Sequence, residues 1–139
     1  MLSYWPHFFN MDMDLYKILT VALGGALGSV ARYVTVRSVD ARLNAVFPYG
    51  TLVVNVVGSF AIGLLYGLAM RKTGFSEPWR LFLGAGFCGG FTTFSAFAWE
   101  NFSLWEQKMA PTALVYVVAT LILGIFSVFA GSFVSRFIE

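Results

Sequence analysis

The sequence predicts an all-α membrane protein of four transmembrane helices, the third broken mid-membrane, and three observations carry that prediction. The 139 residues are 58% hydrophobic, 18% aromatic and only 12% charged, where a soluble domain carries about 25% charged residues. The apolar residues gather into four stretches, each near or above the roughly 20 residues that cross a bilayer. In the middle of the third stretch stands Gly89-Gly90-Phe91-Thr92-Thr93-Phe94-Ser95-Ala96-Phe97, whose content is wrong for a plain lipid-facing helix.

Residues Met1 to Asp14 form a polar and aromatic leader with Pro6 and two acids. The leader is too short and too mixed to span, and it lacks the basic start, apolar core and cleavage site of a signal peptide. Its expected role is dispensable or interfacial. The four-span domain then occupies residues 15–139.

The first span is expected over about 16–36. Gly24, Gly28 and Arg32 are spaced by four and share one face, and small residues there allow close helix contact. Arg32 has two readings. It is a side chain reaching the headgroups from a helix end, or it is a vestibule charge or structural anchor. A linker follows, with Arg37, Asp40 and Arg42, and Pro48-Tyr49-Gly50 signals a turn.

Thr51 is the expected N-cap of a second span over about 52–70. On it Asn55, Ser59, Gly63 and Gly67 are four apart, so one face is polar and then small. The Asn55 carboxamide both donates and accepts. Either it joins helices by hydrogen bonds or its NH2 donates to a passing anion. A basic connection, Arg71 and Lys72, closes on Gly74.

The third span is expected over about 79–105. Two adjacent glycines lower helix stability by roughly 1 kcal/mol each relative to alanine. Thr92, Thr93 and Ser95 bring hydroxyls to a depth where an unpaired polar group costs several kcal/mol. Phe91, Phe94 and Phe97 recur every third residue and would share one side of a helix. Together these features predict a break whose freed backbone lines a protected ion site. Irregular backbone at this depth is tolerated only under cover of protein or a water-filled cavity. A continuous helix packed through small residues is the competing reading. Glu100, near the far end of the span, is expected close to water, bonded or exposed.

The fourth span is expected over about 111–137, with Pro111 in its first turn. Thr112, Tyr116, Thr120, Gly124, Ser127, Gly131 and Ser135 form one continuous helical face. A packing seam and a polar track explain that face equally well. Cys88 is the only cysteine and His7 the only histidine, so no cysteine zinc cluster can form and histidine catalysis or metal binding is not expected. No nucleophile-and-base spacing is present, and the protein is not expected to be an enzyme or to bind nucleic acid.

Four spans place both termini on one side. Lys17, Arg71, Lys72, Arg80 and Arg136 lie there, five cations against the four of Arg32, Arg37, Arg42 and Lys108. Orientation follows an excess of basic residues on one face, and five against four is almost none. Insertion in both orientations, with opposed copies pairing as an antiparallel homodimer, is therefore expected, although a single orientation satisfies the same count.

Taken together, Gly28-Ser29-Val30-Ala31-Arg32-Tyr33, Gly50-Thr51-Leu52-Val53-Val54-Asn55 and the Gly86 to Phe97 block resemble the Fluc/CrcB fluoride channel family across all four spans. The resemblance implies a dual-topology antiparallel homodimer in the plasma membrane, the inner membrane of a prokaryote. It would pass fluoride out of the cell passively and selectively. It also implies a structural sodium ion at the two-fold axis, held by the backbone carbonyls of Gly89 and Thr92. The implied fluoride pathway uses Asn55, Phe94 and Phe97, with the hydroxyls of Thr93, Ser95, Thr120 and Ser127. Ala96 stands where some relatives carry a threonine. The alternative is a proton-coupled exporter of the small multidrug resistance type, which would need a glutamate in the first span; this first span has none.

Overall fold

The computed structural model describes residues 14–71 and 76–138. The leader before Asp14, together with Lys72 and Gly74, lies outside the described residues. Among the described residues the regular structure is all helical, and four stretches are long and apolar enough to cross a membrane: Leu15–Leu43, Tyr49–Arg71, Glu77–Glu106 and Ala110–Phe137.

Helix α1, Leu15–Leu43, has 29 residues and so runs about 44 Å at 1.5 Å per residue. The helix extends past Val36, the expected end of the span. Apolarity marks where the hydrocarbon stops, whereas the backbone ladder continues into the headgroup layer, carrying Arg37, Asp40 and Arg42 on the final turns. Asn44 closes the helix in a left-handed conformation (φ 43°), and its N–H donates to Asp40 O at 2.9 Å.

Helix α2, Tyr49–Arg71, starts before Thr51, which corrects the expected cap. Thr51 is the third helical residue and is buried. A cap is supplied instead across the joint, where the Gly50 N–H donates to Asp40 Oδ1 at 2.9 Å. An acid at the end of one helix thus serves the orphan donors at the start of the next.

The third span is composite. Helix α3, Glu77–Arg80, runs into a π-helical stretch, Leu81–Cys88, and then into α4, Gly89–Phe91. Thr92 (φ −83°, ψ 158°) and Thr93 (φ −151°, ψ 121°) are extended. Helix α5, Phe94–Glu106, follows. Helix α6, Ala110–Val134, has proline in its first turn and ends in a 3₁₀ turn, Ser135–Phe137.

Packing is backbone against backbone along two glycine seams. A Cβ at Gly24 or Gly28 of α1 would collide with the carbonyl oxygens of Phe82 or Phe87 in the third span. Helix α2 lies along α6 in the same way, with Gly63 against Val128 and Gly131 against Phe60. Small residues permit the close approach on which membrane helices rely when lipid is as apolar as their side chains. Among the described residues one buried apolar cluster, Phe97, Leu104, Ala113 and Tyr116, ties α5 to α6. Most long apolar side chains, Leu23, Ile122, Phe126 and Phe129 among them, face outward.

Candidate ion site

The π-helical stretch delivers the chain to the glycine pair, and the two glycines do different work. A Cβ at Gly90 would run into the backbone of Gly25, so this position lets the third span touch α1. At Gly89 the nearest atom to an added Cβ is Gly84 O at 3.9 Å, and the residue is exposed on the open side.

The peptide groups of the break can be accounted for one by one. In a continuous α-helix the Gly89 carbonyl would accept from Thr93 N–H, and the Thr92 carbonyl from Ala96 N–H. Here Thr93 N–H donates to Asn55 Oδ1 at 2.8 Å. Ala96 N–H donates to Thr93 Oγ1 at 3.2 Å, which makes Thr93 the N-cap of α5. Asn55 Nδ2 donates back to Thr93 O at 3.1 Å. Arg32 Nε donates to Gly90 O at 3.0 Å and so ties α1 to the third span. Cys88 O accepts both the N–H and the hydroxyl of Thr92, each at 3.0 Å.

Between this break, α2 and α6 lies a cleft of about 320 Å³. It is lined by Asn55, Ser59, Gly89, Thr92, Thr93, Phe94, Phe97, Thr120 and Gly124, with Cys88 at its wall. Phe94 is 79% exposed and Phe97 only 9%, with ring centroids 5.8 Å apart. Phe91 does not join them. The extended threonines reset the helical phase, and its ring stacks on Phe87 at 5.8 Å, which corrects the expected row of three. The Thr120 hydroxyl is buried without a hydrogen-bond partner.

The cleft therefore brings together Asn55, Gly89, Thr92, Thr93, Phe94, Phe97 and Thr120. Ser95 is exposed beside it, its hydroxyl 3.3 Å from that of Thr93. Ser127 is buried in the α6 seam and does not line the cleft. The stripe on the fourth span thus divides. Thr120 and Gly124 face the cleft, while Ser127, Gly131 and Ser135 are packing.

Glu100, expected near water and either bonded or exposed, is bonded, and its partners are the part that the sequence does not name. Glu100 is half-buried and accepts from Thr51 Oγ1 through Oε1 and from Tyr116 OH through Oε2, both at 2.7 Å. It borders a second cavity of about 270 Å³ shared with Asp40, Phe47 and Trp99. The signal was available, since Thr51 lies one turn before Asn55 and Tyr116 one turn before Thr120, each on the same helical face.

The family model described as CrcB-like protein, Camphor Resistance (CrcB), matches residues 19–132. That match covers most of the chain, from within α1 to near the end of α6. The chain belongs to the CrcB family. Its relatives include a protein from Chelativorans sp. (strain BNC1), 44% identical over 122 residues, covering 88% of this chain and 98% of the relative. A Pyrococcus furiosus protein is 44% identical over 124 residues (89% and 99%), and one from Rhizobium meliloti 47% identical over 114 (82% and 91%). All three are named fluoride-specific ion channel FluC. With four helices able to span, this CrcB chain is a multi-pass membrane protein.

Proposed function

We propose that the protein is a passive, selective fluoride channel that lets fluoride leave the cytoplasm across the inner membrane of a prokaryote. The observation that carries the proposal is about 44% identity, across nearly the full length of both chains, to proteins named fluoride-specific ion channels. The exporter alternative receives no support from these relatives.

The geometry of the cleft favours the same reading. Removing water from a small anion costs at least the order of the ~20 kcal/mol Born figure for a carboxylate-sized ion. A pore must return that energy through donors without holding the ion fast. Asn55 has a second N–H beyond the one given to Thr93 O. The Thr120 hydroxyl has no protein partner. Aromatic edges carry partial positive charge, so Phe94 and Phe97 can meet an anion edge-on. In this reading Asn55, Thr93, Phe94, Phe97 and Thr120 wall the route, with Ser95 flanking it, while Ser127 belongs to the packing seam.

The break also suits a cation. The Gly89 and Thr92 carbonyls have lost their helical donors to Asn55 and to the Thr93 hydroxyl, and carbonyl oxygens are the donors a hard cation prefers. A sodium ion held there would supply fixed positive potential beside the anion route. Gly89 and Phe94 are exposed in the single copy, and a second copy inserted in the opposite sense would cover them, giving an antiparallel dimer about a two-fold axis in the membrane plane.

The decisive experiment is fluoride-electrode efflux from reconstituted liposomes with chloride as control. Fluoride release without chloride release is expected, and equal rates for the two anions would overturn the proposal.

A further inference from the structure

The carboxamide of Asn55 is divided between two tasks. Its nitrogen holds Thr93 O and keeps one N–H in reserve, while its oxygen takes the Thr93 N–H at 2.8 Å. That N–H is the donor Gly89 O would receive in an unbroken helix. Thr93 is already extended, with its side chain engaged in capping Ala96. Arg32 occupies the neighbouring Gly90 carbonyl, so the peptide oxygens of the glycine pair are treated oppositely, one filled and one released. Gly89 itself lies on the open face, with nothing closer than 3.9 Å to an added Cβ.

We infer that Asn55, besides standing in the anion route, is a positioning residue for the cation site, because its oxygen withdraws the Thr93 N–H and so keeps the Gly89 carbonyl free to coordinate. The inference rests on the sodium reading of the break. It makes the two ions share one side chain, the acceptor end building the cation site and the donor end facing the anion. Replacement by an apolar residue returns the Thr93 N–H to Gly89 and closes the cation site. Aspartate keeps an acceptor for the Thr93 N–H while losing the donor.

The test is solid-state NMR of the full chain in lipid, with glycine labelled at carbonyl carbon and nitrogen. Only two Gly-Gly bonds exist, Gly24-Gly25 and Gly89-Gly90, so the Gly89 carbonyl is read selectively and Gly24 is the reference. In potassium buffer, Asn55→Leu should move the Gly89 signal downfield toward hydrogen-bonded helical carbonyls and abolish its response to added sodium. Asn55→Asp should keep both the wild-type position and the sodium response while fluoride efflux is lost. Asn55→Ala replaces the leucine variant should that one fail to assemble. An unmoved Gly89 signal in the apolar variant, or a sodium response that survives there, overturns the inference. A wild-type signal indifferent to sodium overturns the cation reading itself, and the sodium-free comparison separates the two failures.

Discussion

Tyr116 donates its hydroxyl to Glu100 at 2.7 Å, and the same carboxylate takes a second short bond from Thr51. One acid thereby joins α2, α5 and α6. Removing either donor, by Tyr116→Phe or Thr51→Val, should cost between the ~0.6 kcal/mol average for interhelical bonds in membranes and the roughly 3 kcal/mol upper range for bonds to charged groups. Removing both strips the carboxylate of both hydroxyl donors, so the double variant should lose more than the sum. Thermal unfolding in detergent, arranged as a double-mutant cycle, measures the coupling; strict additivity would mean that the two bonds act independently.

The two phenylalanines of the cleft should separate function from folding. Phe97 is buried against Tyr116, with ring centroids 5.1 Å apart, whereas Phe94 is largely exposed. Phe97→Ile should lower stability by about 1 kcal/mol through its lost aromatic contacts, and Phe94→Ile, which loses only an exposed ring 5.8 Å from Phe97, should lower it by less. The two changes together should abolish fluoride efflux. Wild-type flux in that double variant would remove the rings from the pathway.

Thr120 buries a hydroxyl that has no protein partner, a condition that costs about 1–3 kcal/mol. Thr120→Val keeps the shape and deletes the orphan. The melting temperature should hold or rise while fluoride efflux falls. A variant of undiminished efflux would show that the hydroxyl serves no ion.

The glycine seams should tolerate side chains unequally. Gly28→Val forces a Cβ into the Phe87 carbonyl, a backbone atom that cannot swing away. The loss should reach or exceed the 1–3 kcal/mol typical of overpacking, seen as a lower unfolding temperature and a broadened size-exclusion peak. Gly124→Ala meets only Ser59 Oγ at 3.7 Å and should be folded and monodisperse.

Lys108 holds a left-handed conformation (φ 59°) in the turn between α5 and α6. A side chain there costs roughly 1–2 kcal/mol, and glycine gives back part of that gain as chain entropy. Lys108→Gly should therefore raise stability by up to about 1 kcal/mol, read as a higher midpoint in detergent.

The four spans were legible because hydropathy and length are local properties, and the Gly89 to Phe97 composition marked the site. Asn55, Phe94, Phe97 and Thr120, singled out by helical spacing and by the family resemblance, come together in one cleft. What sequence could not supply were long-range partners. Asp40 caps α2 from another helix, Thr51 serves Glu100 rather than its own helix end, and Arg32 reaches a carbonyl 58 residues away. Phe91 was misplaced for a different reason. Three-residue spacing assumes one unbroken winding, and two extended threonines cancel that phase.

Interruptions in membrane helices are commonly places where two halves swing. This one is gripped from α2 by a carboxamide holding both peptide groups of Thr93 and from α1 by a guanidinium on Gly90. A joint riveted on both flanks is a fitting and not a hinge. In the channel proposed above, such a fitting leaves the discrimination between ions to the residues that wall the cleft.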